Sequence, residues 1–198
     1  MMKKTILLPI LTLAIVAAVL LAATFGLHAI TEANAQKIHR ELMKTLIPGS
    51  EEITLEPYTG DDANIRSVHK GETGFVIETV TAGYAGDITM FIGVANDGTI
   101  TGLRVWNMSE TMGLGSNALF DETFLAQFLN TKGNVAIGVQ ADAFSGATGE
   151  SEPTGEETYV DGITGATVTS KAIAKAVNSA AAYVTGADTS SGATSWGG

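Results

Sequence analysis

The feature that most constrains this 198-residue chain is an uncharged run: residues 5–31 contain no Asp, Glu, Lys or Arg. Its strongly apolar part, residues 5–27, would be about 35 Å long as an α-helix, enough to cross a bilayer. Pro9 falls in the first turns of such a helix, where a missing N–H costs little. Ala33-Asn34-Ala35 resembles a cleavage site, but a secretory signal carries only about 7–15 apolar residues and this run is longer. The length favours an uncleaved, single-pass anchor in the cell (inner) membrane. Lys3 and Lys4 precede the run, so the positive-inside rule leaves the N-terminus in the cytoplasm.

Everything beyond the anchor then lies on the outer face. It holds nine of the 11 Lys and Arg residues and all 21 Asp and Glu residues, a formal charge of 9 − 21 = −12. Such a surface is drawn neither to nucleic acid nor to anionic headgroups, so protein partners must supply its docking. The chain has no cysteine, which removes disulfides, iron–sulfur ligation and thiol nucleophiles together. His28, His39 and His69 show no metal-ligand spacing. Neither a metal site nor a catalytic side chain is expected.

Residues 31–46 read as a helix leaving the membrane, capped by Thr31, with Ala35, Ile38, Leu42 and Leu46 on one stripe. Pro48-Gly49 stops it. A polar stretch to about Gly71 is loop-like, with a short strand at 53–55. Strand patterns follow at 74–80, 88–95 and 99–106, the last two joined by the turn-forming Asn96-Asp97-Gly98. Residues 121–129 predict a short helix capped by Asp121, and 135–139 another strand. Residues 168–184 predict a helix with Ile173, Val177, Ala181 and Val184 on one face. The Gly/Ser/Thr-rich tail, 186–198, reads as flexible. The fold class is α+β: a transmembrane helix, then a small extracytoplasmic domain of antiparallel strands with flanking helices. The expected division is 1–30 cytoplasmic N-terminus and anchor, 31–70 helix and linker, 71–185 domain and 186–198 tail.

One short pattern, Asp-x-x-[Ser/Thr]-Gly-Ala-Thr, occurs three times, ending at Thr148, Thr167 and Thr194. Small residues at a helix start let another group approach closely, and the first N–H groups of the helix are free for an anion. Only the copy at 161–167 (DGITGAT) is followed by a helical pattern. The copy ending at Thr148 runs into an acidic stretch with Glu150 and Glu152, and the copy ending at Thr194 lies in the tail. Alone, such a heptad is a small-residue turn capping a helix.

It is not alone. The segments GYAG (83–86) and ETMGLG (110–115) flank the hairpin strands, and with the anchor and VDGITGATVTS they resemble the FMN-binding domain family. Within it the chain is similar to the G subunits of Rnf-type ion-translocating oxidoreductases and to their cousins, the C subunits of sodium-pumping NADH:quinone reductases. The resemblance implies FMN bound covalently through a phosphoester to Thr167, installed from FAD by a separate flavin transferase. It implies that Asp161, Thr164, Gly165 and Ala166 form the motif around that threonine. It also implies that Glu110, Thr111, Gly113, Leu114 and Gly115 lie near the flavin, with Met112 where the family has proline. Read from the residues themselves, Tyr84 and Trp106 are strand-face aromatics, and Lys171 and Lys175 belong to the polar side of a helix.

With no nicotinamide fingerprint, since Gly113-x-Gly115 lacks a third glycine, a relay of electrons fits better than conversion of a substrate. The resemblance implies an electron-carrying component of an Rnf-like membrane complex, with the FMN domain on the outer face. That complex would couple ferredoxin/NAD redox chemistry to Na+ or H+ translocation. The alternative is a stand-alone, membrane-anchored flavoprotein carrying electrons outside the cytoplasm.

Overall fold

The computed structural model describes residues 2–109, 119–138 and 158–187, and within the first helix the side chains of 13–24, 31 and 34 onward. That helix, α1, runs unbroken over Met2–Leu46. Thr31 is therefore not a cap. The sequence HAITEANA across 28–35 has neither Gly nor Pro and three alanines, so nothing there favours leaving the helix. The chain divides into two compact units, Met1–Leu42 and Met43–Gly198.

The first unit is carried by α1. Its large apolar side chains Leu13, Ile15, Val16, Val19, Leu20 and Leu21 are exposed, at 54–71%. Among the described residues no helix is long and apolar enough to cross a membrane.

The second unit is built on a five-stranded antiparallel sheet in the order β1 (Thr54–Glu56), β2 (Ile65–Lys70), β3 (Gly74–Ala82), β4 (Asp87–Ala95) and β5 (Ile100–Met108). β4 is buried from Ile88 to Val94 because it is covered on both faces, which matches a sequence there whose one polar side chain is Thr89. Its hairpin to β5 turns at Gly98, φ +85°, where the Ala95 N–H bonds to the Thr99 carbonyl at 2.8 Å. β2 corrects the loop reading before Gly71. A bulge between Ile65 and Ser67 lets Ile65 and Val68, three apart, both be buried, so the period of two that marks a strand is hidden.

α2 (Glu122–Ala126) is capped by Asp121 as expected, whose carboxylate accepts the N–H groups of Thr123 and Phe124. β6 (Val135–Gly138), the strand expected over 135–139, pairs with β7 (Thr158–Asp161) in a second, parallel sheet, and it is this pairing that the sequence patterns did not anticipate. α3 (Thr167–Thr185) packs on one face of the large sheet. Ile173, Val177 and Ala181, from its striped face, join Ile77, Ile88, Met90 and Ile92 in one core. Tyr183 meets Phe75 edge-on at 5.8 Å, and a Cβ on Gly98 would strike Thr185. Helix and β3 therefore run in opposite directions, and the start of α3 points toward the end of the sheet where β3 turns into β4. On the other sheet face the last residues of α1 close over Gly93 and Gly102, where any Cβ would collide with Leu46.

Candidate functional site

The heptad of residues 161–167 joins the last residue of β7 to the first residue of α3. The turn between them is held by a short chain of hydrogen bonds. The Gly162 N–H donates to the Gly138 carbonyl at 3.3 Å, and the Ala166 N–H donates to the Ile163 carbonyl at 2.9 Å. The Ile163 N–H donates to Ser170 Oγ at 3.3 Å, and the Ser170 N–H returns to the Ala166 carbonyl at 2.8 Å. Gly165 sits at φ +81°, where a Cβ brings strain, which explains glycine at this position of the heptad. Ala166 is buried, whereas Asp161, Thr164, Gly165 and Thr167 are exposed.

The groups left without partners define what the turn can receive. α3 opens on Ala166 with no side-chain cap and no acidic residue in its first turn. Among the described residues, the N–H groups of Thr164, Gly165, Thr167, Val168 and Thr169 have no acceptor. In the same turn Thr169 Oγ1 is fully buried and has no hydrogen-bond partner among the described residues. A missing cap costs about 1 kcal/mol and a buried unpaired hydroxyl about 1–3 kcal/mol. An anion at this helix end offsets part of that cost through the helix dipole and the free donors. The residues present therefore fit a phosphate group placed beside the Thr167 hydroxyl.

Asp161 is held by its backbone. Its N–H donates to Gln127 Oε1 at 2.9 Å, and Gln127 Nε2 donates back to its carbonyl at 3.5 Å. Gln127 closes α2, and its distance from the heptad in sequence gives no motif that would reveal the contact. Ser170 likewise escaped the sequence reading, although its place one turn into the helix is where a hydroxyl can reach back to a preceding loop.

The segment GYAG approaches Ser109, the end of the described chain after β5, at the same end of the sheet. The Gly83 N–H closes its turn on the Gly86 carbonyl at 2.8 Å, and a Cβ on Gly86 would meet Ser109 Cβ at 2.7 Å. Glu110, Thr111, Gly113, Leu114 and Gly115 themselves lie outside the described residues, as do the heptads ending at Thr148 and Thr194. Trp106 stands half-exposed on β5 and meets Phe91 edge-on at 5.5 Å, the strand-face role expected for it.

A small α+β domain with an antiparallel sheet and an anion-ready helix start is the class this chain defines, and the chain belongs to the FMN-binding domain family, which matches residues 83–182. It is similar to the G subunit of the ion-translocating oxidoreductase complex of Methanosarcina acetivorans, with 30% identity over 92% of this chain and 96% of that protein. It is also similar to the G subunit of the Na(+)-translocating ferredoxin:NAD(+) oxidoreductase complex of Acetobacterium woodii, with 33% identity over 53% of this chain and 46% of that protein. The chain thus spans nearly all of the first relative and about half of the second. Among solved structures it resembles the C subunit of the Na(+)-translocating NADH-quinone reductase from Parabacteroides distasonis. There the identity is 22%, the TM-score is 0.49, and 68% of this chain and 76% of that chain are covered.

Proposed function

We propose that this protein is the flavin-carrying electron-transfer component of an ion-translocating ferredoxin:NAD oxidoreductase complex. The observation that carries the reading is the turn at Thr167, an exposed hydroxyl on an uncapped helix start, inside a region that matches the FMN-binding domain family. The named relatives supply the complex, and its other subunits are the partners.

Thr167 would hold FMN as a phosphoester, its hydroxyl oxygen taking the place of AMP on the FMN phosphorus of FAD and giving up its proton. A flavin transferase performs the step. The chain's own residues supply the geometry: Gly165 turns the backbone, Ala166 fastens the turn to the core, and the N–H groups of Thr167, Val168 and Thr169 would face the phosphate. Asp161 and Thr164 complete the motif, and Glu110, Thr111, Gly113, Leu114 and Gly115, which lie outside the described residues, are assigned to the flavin's surroundings on the family resemblance alone. Once bound, FMN supplies one- and two-electron chemistry, and the protein sets its position.

The apolar run inside α1 anchors the protein in the cell membrane, with the N-terminus cytoplasmic and the FMN domain outside. Its exposed leucines, valines and isoleucine support this, because a soluble surface seldom shows so many large apolar side chains together. The deciding experiment is a denaturing gel of the protein produced with a flavin transferase. An ultraviolet-fluorescent band whose peptide map places FMN on residues 158–170 is expected. A colourless protein overturns the assignment.

A further inference from the structure

Asp161 shows the fold holding the heptad from the side opposite its sheet partner. In a parallel pair, alternate residues direct their N–H and C=O toward the neighbouring strand. Gly162 bonds toward Gly138 on β6, so the N–H and C=O of Asp161 point to the free edge of β7. There Gln127 meets both, accepting at 2.9 Å and donating at 3.5 Å. A carboxamide carries a donor and an acceptor side by side, so one side chain stands in for a missing strand. The exposed edge of this two-stranded sheet would otherwise fray just where the attachment turn begins.

We infer that Gln127 is a positioning residue for flavin attachment: it fixes the entry of the turn so that Thr167 presents its hydroxyl in one geometry to the transferase. The inference rests on the reading of Thr167 as the acceptor. Downstream, the turn is fixed by α3, whose residues Ile173 and Val177 lie in the core. Upstream, it hangs on Gly162 bonded to Gly138 and on Asp161 bonded to Gln127. Without Gln127 the Gly162–Gly138 bond and the Ile163–Ser170 contact remain on that side. The entry residue Asp161 is released, and the turn gains backbone freedom that must be lost again at each productive encounter. A loss of this kind acts on the chemical step, because the acceptor still docks but its oxygen is in line less often.

The test uses the full chain in detergent, produced without transferase, then treated with a purified flavin transferase and FAD. Initial rates of FMN incorporation are read by in-gel fluorescence across a range of chain concentrations. Gln127→Ala should lower kcat for modification by roughly tenfold or more, as a small misplacement of reacting groups does, and leave KM for the chain unchanged. Gln127→Glu keeps the acceptor that makes the shorter contact and should restore part of the rate. In hydrogen exchange, the peptide spanning the turn should lose protection in Gln127→Ala, while Val135, held by a different side chain, keeps its protection. A Gln127→Ala variant modified at the wild-type rate overturns the inference, as does a rate loss that appears wholly in KM or unchanged protection of the turn. A wild-type chain that takes up no FMN defeats the assignment of Thr167 instead. The exchange result then still judges whether Gln127 fixes the turn.

Discussion

Asn178, in the middle of α3, grips both polar backbone groups of Val135: its Oδ1 accepts the Val135 N–H at 2.8 Å and its Nδ2 donates to the Val135 carbonyl at 2.9 Å. Val135 starts β6 and is buried. The same device therefore closes both outer edges of the small parallel sheet, Asn178 at the start of β6 and Gln127 at the end of β7. The first ties the sheet to the core helix, and the second meets the heptad.

Because Val135 is buried, replacing Asn178 by Ala strands an N–H and a carbonyl without water. Asn178→Ala should lose about 1–3 kcal/mol of unfolding free energy. Urea unfolding followed by tryptophan emission would measure it, since Trp106 lies in the same unit. A midpoint equal to wild type would show that solvent reaches these groups.

Gly93 offers a second stability test. A Cβ there falls on the Leu46 carbonyl, and Thr101 Oγ1 also donates to that oxygen. The obstruction is backbone, so it cannot rotate away. Gly93→Ala should destabilise the domain by about 1–3 kcal/mol through overpacking and loss of the Thr101 contact. Thermal melting that matches wild type would mean that the end of α1 detaches without cost.

Asp97 sets a prediction in pH. Its carboxylate accepts from the Thr99 hydroxyl at 3.0 Å and the Thr99 N–H at 3.1 Å, and Lys132 stands 3.4 Å away. The Thr99 hydroxyl, before the others, holds the Asp97 carboxyl below its ordinary 3.8. The folded pKa lies below the unfolded one, so the stabilisation is complete above pH 3.8 and is lost as pH falls through the folded value. A carboxyl-carbon titration by NMR should show the Asp97 midpoint rising toward 3.8 in Thr99→Val. An unmoved midpoint would reject the Thr99 contact as its cause.

The three heptads can be separated by substitution. Thr167→Ala should abolish the fluorescent band, Thr167→Ser should retain part of it, and Thr148→Ala and Thr194→Ala should leave it intact. Gly165→Ala should slow modification as well, since its +81° φ makes a side chain cost about 1 kcal/mol. FMN found on a peptide containing Thr148 or Thr194 but not Thr167 would sink the assignment.

Topology is open to a direct check. Protease added to right-side-out vesicles should remove the domain and leave the segment around α1, because Lys3 and Lys4 stay on the cytoplasmic side. Full protection of the domain, or a mature chain beginning at Gln36, would reverse the proposal.

Local signals determined most of the large sheet and the helices α2 and α3. Asp121 announces α2 through its cap, Asn96-Asp97-Gly98 announces the hairpin, and Ile173, Val177 and Ala181 repeat at helical spacing. In each case the cause lies within a few residues of its effect, so the sequence by itself suffices. The heptad also suffices to mark the turn, because glycine at Gly165 is a local requirement of the backbone. The continuity of α1 through Thr31 was also legible, since nothing in residues 28–35 signals a stop. Two features needed the tertiary structure. β2 hides behind a bulge that only its pairing with β3 imposes. The second is the pair of carboxamide clamps. Gln127 and Asn178 look like ordinary polar residues of helical segments, because a hydrogen bond to a strand edge is set by distance in space and leaves no period in the chain. Sequence placed Thr167 at the start of a helix; only the folded arrangement decided which side chains hold that start still.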